Sequence, residues 1–155
     1  MILYYVATQL HIFNAVNMLN TIHKGKKADI FVLNHFKSAS AICQRLESSG
    51  VFEKVVLVHN KNGKSIYKFI KRIAQTIILP QKIADIVKDR NYDEIVFFSN
   101  DHLMAASLIR LVLKENTTTD FALGEDGVGS YFSDLHIPNA RVKLVLRLFG
   151  RERYL

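Results

Sequence analysis

Two adjacent carboxylates, Glu125 and Asp126, stand between Gly124, Gly127 and Gly129 and are followed by Ser130 and Tyr131 in the stretch FALGEDGVGSYF. Two neighbouring acids drawn into one partly desolvated cleft do not both ionise cheaply, so one is pushed toward the range useful for a general base. At a strand end side chains alternate, so one acid can face a cleft while the other holds the loop. The glycines let the backbone turn sharply and approach a ligand closely. A solvated Gly-rich turn uses the same residue types for purely local reasons. The elements that would carry these acids therefore decide how much chemistry to read into them.

The hydrophobic pattern alternates between two periods along the chain. Short runs of apolar and β-branched residues predict five strands, at about 1–7, 28–34, 53–59, 93–99 and 118–124. Between them lie helical segments. In HIFNAVNMLNTIHKG, Ile12, Val16, Leu19 and Ile22 form one stripe and Gly25 closes it. SASAICQRLESSG reads as a helix with Ser38 as N-cap and Gly50 as stop. A long helical stretch is interrupted at Pro80, and the segment 101–116 reads as a helix with Asp101 near its start and Lys114 near its end. Strand and helix in alternation imply parallel pairing, and strands apolar on both faces imply helices on both sides. The expected fold is α/β, a doubly wound, Rossmann-like sheet of about five strands. The domain spans 1–139, and residues 140–155 form a basic helical tail or the start of a linker.

In such a sheet ligands bind outside the carboxyl ends of the strands, where strand order switches. Thr8 and Gln9 follow the first strand and Asn34 and His35 the second. His59 and Asn60 follow the third, Ser99, Asn100, Asp101 and His102 the fourth, and Glu125, Asp126 and Gly127 the fifth. Five polar loops on one edge suit a hydroxylated ligand.

Composition narrows the classes. A chain of 155 residues with 49% hydrophobic and 23% charged content reads as a globular domain able to bury a core. One cysteine, Cys43, forms no internal disulfide, which suits a cytoplasmic setting. No apolar run is long enough to span a bilayer, and the start lacks the pattern of a signal peptide. Neither GxGxxG nor GxxxxGK[ST] occurs, which argues against a dinucleotide fingerprint and a P-loop. The six histidines form no HExxH pair, so no metal or other cofactor is expected.

GEDGVGSY resembles the acidic motif of bacterial sialyltransferases, in the group that holds the lipooligosaccharide sialyltransferases (glycosyltransferase family fifty-two) and the polysialyltransferases. The opening YYVATQLHIFNAVNML, the segment YDEIVFFSND and the basic RVKLVLRLFG are similar to the corresponding parts of that group. The resemblance implies a GT-B enzyme of two Rossmann-like domains with the active site between them. It implies inverting transfer of sialic acid from CMP-sialic acid to a cell-surface glycan of capsule or lipooligosaccharide. Asp126 would then be the base and Glu125 the supporting acid, with the two roles exchangeable. Gly127, Ser130, Tyr131, Thr8, Gln9, Asn100 and Asp101 would bind substrate. The group's donor-side His-Pro motif is missing: in HIP, Ile137 separates His136 from Pro138. The expectation is therefore an N-terminal, acceptor-side half that is inactive alone, with most of the donor contacts in a further domain.

The net charge of +7 suits anionic partners. Lys61, Lys64, Lys68, Lys71 and Arg72 fall within twelve residues, and 140–155 interleaves Arg and Lys with apolar residues. Both suit a solvated face or peripheral contact with an anionic membrane; the tail also suits packing on a second domain or on another copy of the chain in a homodimer. No RNA-recognition signature is present and nucleic acid is not an expected partner. The alternative function is a non-catalytic Rossmann-like module that binds a nucleotide or a phosphorylated metabolite.

Overall fold

The computed structural model describes residues 1–58, 81–98, 108, 109, 112 and 118–124. All belong to the unit Met1–Glu125. The expected domain boundary near 139, the tail 140–155 and the basic cluster 61–72 lie outside the described residues.

Five strands form one sheet: β1 (Ile2–Val6), β2 (Ala28–Leu33), β3 (Lys54–Val58), β4 (Glu94–Phe97) and β5 (Asp120–Leu123). Their order is β3-β2-β1-β4-β5, and every pair is parallel. Ile2 pairs with Ala28 on one side and Glu94 on the other, so β1 is the central strand. Three helices are described: α1 (Gln9–Asn20), α2 (Ala39–Ser49) and α3 (Gln81–Lys88). Leu108, Ile109 and Val112 are also helical. The chain is thus α/β with a Rossmann-like sheet, as the alternating periods predict.

Alternation along β1 divides the core between the two faces. Leu3 and Tyr5 point to a cluster with Phe31, Ile86, Val87, Leu108 and Val112, under α3. Ile2, Tyr4 and Val6 point the other way, to Ile12, Ala15, Leu19 and Cys43 of α1 and α2. All five β1 residues are buried, which explains why ILYYV is apolar throughout rather than alternating.

Helix ends differ from expectation at three points: α1 stops at Asn20, short of Ile22, which the stripe includes but which is 72% exposed. The spacing places the start of α1 near His11, but α1 begins at Gln9. Thr8, in extended conformation, accepts from the His11 backbone N–H through Oγ1 at 3.2 Å. Ser38 precedes α2 but makes no side-chain cap bond. Its backbone, at φ −91° and ψ 5°, lacks the extended geometry that turns a cap oxygen toward the first turn. At the other end Gly50, at φ +64°, stops α2 as expected. Gly25, at φ +82°, ends the turn after α1.

Polar contacts pin the amino edge of the sheet. Asp29, fully buried in β2, accepts from Tyr92 Oη at 2.7 Å and from Arg90 at 3.2 Å. Burial raises the Asp29 carboxyl above its ordinary value, and the Tyr92 hydrogen bond and the Arg90 charge pull it partly back. Tyr4 Oη lies 2.6 Å from His23 Nδ1, and His23 Nε2 lies 3.1 Å from Glu94 Oε2. Burial, and then the Glu94 charge, push the Tyr4 hydroxyl upward. The amino group of Met1 is bound to the Asp93 carboxylate, which lowers the pKa of that acid.

Candidate functional site

Because β1 has β2 on one side and β4 on the other, and the chain reaches β4 only after β3, strand order switches between β1 and β4. The carboxyl ends of those two strands frame the crevice in which such sheets bind ligands. Thr8 and Gln9 lie there, one residue beyond β1, and both are exposed. The cap occupies the Thr8 oxygen as acceptor and leaves its hydroxyl proton to offer. Gln9 Nε2 donates to Ser38 Oγ at 2.7 Å, which ties the β1–α1 connection to the β2–α2 connection. That bond also shows what Ser38 does instead of capping α2. The first turn of α1 holds no acid of its own to offset the positive end of the helix dipole. Asn34 and His35 follow β2 on the same edge, and the Asn34 N–H donates to the Val58 carbonyl at 2.9 Å.

Phe98 lies at the centre of this edge. It follows β4, is 1% exposed, and its N–H donates to the Tyr5 carbonyl at 3.2 Å. Its ring stacks on His11 with centroids 5.6 Å apart, and on Tyr4 at 6.4 Å. Gly124, following β5, lies against the same ring: a Cβ there would fall 2.3 Å from one ring carbon and 2.5 Å and 2.8 Å from two others. The Gly124 N–H donates to the Phe97 carbonyl at 2.7 Å. Three chain segments therefore meet at one ring: the start of α1 through His11, the end of β4 through Phe98 itself, and the end of β5 through Gly124.

His11 is the residue that sequence reasoning misses. It is 2% exposed, and its Nδ1 accepts the Ala7 N–H at 3.2 Å. With Nδ1 engaged as acceptor, the neutral ring carries its proton on Nε2. Its spacing fits no metal or catalytic motif. The only signal was a histidine beside Ile12 on the buried side of a helix that starts at a strand end.

Of the residues read as site candidates, the structure brings Thr8 and Gln9 together at the switch point. Asn100, Asp101, Glu125, Asp126, Gly127, Ser130 and Tyr131 lie outside the described residues. Phe98 and Gly124, the last described residues before Ser99 and Glu125 in the chain, are in contact. Among the described residues no three His, Cys, Asp or Glu side chains cluster as metal ligands would, and no helix is long and apolar enough to cross a membrane. Compared with known protein families the chain matches no family model, and compared with curated proteins it matches none.

Proposed function

We propose that the chain is the acceptor-side domain of an inverting glycosyltransferase of the sialyltransferase type. The observation that carries the reading is the meeting of three carboxyl-edge segments at Phe98. The residues that follow two of those segments in the chain include Asn100, Asp101 and the acidic pair Glu125–Asp126. The third segment carries Thr8 and Gln9. A parallel sheet with this order offers one crevice, between the carboxyl ends of β1 and β4, and Thr8 and Gln9 lie at it.

On this reading Asp126 accepts the proton of an acceptor hydroxyl as that oxygen attacks the anomeric carbon of the sialyl group. The bond to the CMP phosphate breaks, and configuration inverts. Glu125 supports the loop. Gly127 permits the turn, and Ser130, Tyr131, Asn100 and Asp101 contact the sugars. A second Rossmann-like domain would hold most of the CMP-sialic acid and complete the GT-B pair. The basic stretches 61–72 and 140–155 would face an anionic membrane surface or that domain. The alternative, a phosphate-binding module, is less well supported: VATQLH joins β1 to α1 without a glycine, so the backbone lacks the close approach that phosphate loops use.

The test is transfer from CMP-sialic acid to a panel of galactose- and sialic-acid-terminated acceptors by the full-length enzyme. General-base assistance contributes roughly 100- to 10,000-fold, so Asp126→Asn should lower turnover by about 100-fold or more with folding unchanged. Near-normal turnover would remove Asp126 from the base role. A dead Glu125→Gln enzyme beside an active Asp126→Asn enzyme would exchange the two assignments. No transfer by the unmutated enzyme across the panel would overturn the substrate.

A further inference from the structure

The first twenty-three residues contain no Asp, Glu, Lys or Arg, in a chain that is 23% charged. For β1 this follows from burial. For α1 it does not, because one face of that helix is in water. Gln9, Leu10, Phe13, Asn17 and Asn20 are exposed, with Leu10 at 49% and Phe13 at 62%. The exposed faces of the other helices are ordinary: α2 presents Gln44, Arg45 and Glu47, and α3 presents Asp85 and Lys88. Asn is a weaker helix former than the Glu or Lys usual at such positions, and an exposed Phe adds nothing to the core. The outer face of α1 is therefore not composed for helix stability or for solvation.

Gln9, Phe13 and Asn17 are four residues apart and form one row, with Leu10 beside Phe13. The row starts at the candidate site, where Ser38 holds the Gln9 amide, and runs about 12 Å along the helix at 1.5 Å per residue. An aromatic ring between two planar amides has a definite chemistry. A pyranose has an apolar C–H face that covers such a ring, and a rim of hydroxyls that each donate and accept. An amide places one acceptor beside two donors and matches a pair of neighbouring hydroxyls. No cation stands on the row to receive a carboxylate or phosphate. A protein partner is less well matched: Leu10 and Phe13 on the row, even with Ile22 just beyond the end of α1, supply only a small part of the roughly 800 Å² per side that a stable interface buries.

We propose that the row Gln9–Phe13–Asn17, with Leu10, is a binding surface for uncharged pyranose units of a glycan, extending from the candidate site along the outer face of α1. It rests on the transferase reading only in taking that glycan to be the acceptor. The row would hold sugars preceding the reacting one, and so would select for acceptors with an uncharged chain behind the terminal residue.

The experiment titrates the full-length protein with lactose, N-acetyllactosamine and maltotriose while observing its side-chain amide signals by NMR. At least one of the three should bind and shift the Gln9 and Asn17 side-chain amides. Phe13→Ala should weaken that binding about tenfold, as loss of a central aromatic contact does, and Phe13→Tyr should retain it. Phe13 is exposed, so the Ala variant should keep its fold, checked by circular dichroism. Three outcomes overturn the proposal: none of the sugars binds; binding is indifferent to Phe13→Ala; or Phe13→Ala abolishes self-association and leaves sugar binding unchanged. Transfer assays separate this surface from the reaction. No turnover together with Phe13-dependent sugar binding sinks the transferase reading and keeps the surface. Turnover with an acceptor KM unchanged in Phe13→Ala keeps the reaction and sinks the surface.

Discussion

Gly124→Ala tests whether Phe98 is the point on which the carboxyl edge is assembled. The new Cβ would lie 2.3 Å from the nearest Phe98 ring carbon, with two more at 2.5 Å and 2.8 Å. Carbon atoms in contact rest at about 3.5–4.0 Å, so ring and backbone must separate by about 1.2 Å or more. The ring has little room to move, being 1% exposed and stacked on both His11 and Tyr4. If the backbone moves instead, it loses the 2.7 Å bond from the Gly124 N–H to Phe97, worth about 1 kcal/mol net. Overpacking a filled core costs typically about 1–3 kcal/mol, and a fully buried ring stacked on two neighbours puts this case near the top, at about 3 kcal/mol. Urea unfolding followed by circular dichroism measures it. The discriminating variant is Phe98→Leu, which removes the outer ring atoms. Combined with Gly124→Ala, it should cost less than the sum of the single changes, with a coupling of about 1–3 kcal/mol. A Gly124→Ala protein within about 0.5 kcal/mol of the parent, or a cycle that is simply additive, would refute the reasoning.

Three further outcomes are expected. Thr8→Ala should destabilise the chain by about 1 kcal/mol and speed exchange of the His11 amide, whereas Thr8→Ser should restore both; equal exchange in all three proteins would remove the cap. Burial raises the Asp29 carboxyl, so over the window from its unfolded value near 4 up to the raised folded value the native chain holds a proton that the unfolded chain releases. Asp29 should therefore make stability fall as pH rises through that window. Asp29→Asn should abolish that fall in a series of urea titrations against pH, and an unchanged slope would sink the assignment. Cys43 is 5% exposed, and burial, then the Glu47 charge, push its thiol upward. A thiol reagent should label it slowly in the native protein and fast in denaturant, and equal rates would contradict the packing.

The sheet was legible because buried parallel strands leave an unambiguous trace: ILYYV and IFVL are apolar on both faces, and all five expected strands coincide with observed ones to within two residues. Caps were less legible. Ser38 has the right side chain in the wrong backbone conformation, and Thr8 stands four residues ahead of Ile12, where the apolar stripe begins, so the pattern does not mark it as a cap. Partners distant in sequence left no trace. Asp29 sits inside a strand-like run, and nothing local announces that Tyr92 and Arg90 will meet it. Sheet order settles that, because β1 alone separates β2 from β4. His11 stayed hidden for the same reason: its partner Phe98 arrives from another strand. Of the site itself, sequence indicated the carboxyl edge and, on it, Thr8 and Gln9. The ring at which the ends of β4 and β5 meet the start of α1 emerged only from the packing.

The central position of β1 has a consequence for how the molecule comes into being. β1 pairs with β2 across a short connection but with β4 across a long one; Met1 and Asp93, in contact at the end of that seam, are 92 positions apart. Closing the longer loop costs only about 1 kcal/mol more than closing the shorter, so the delay is set less by entropy than by synthesis. At about 5–20 residues per second, the ribosome needs roughly 3–13 s to go from the end of β2 to the end of β4. Through that interval the nascent sheet has β1 as an open margin, with unpaired backbone groups along a fully apolar strand. Such a margin is a template for pairing with another nascent chain. Glu94 is the first residue of β4 and also the partner of His23. Its arrival closes the margin and completes the Tyr4–His23 contact in one step, so aggregation during synthesis should be governed by how promptly β4 follows.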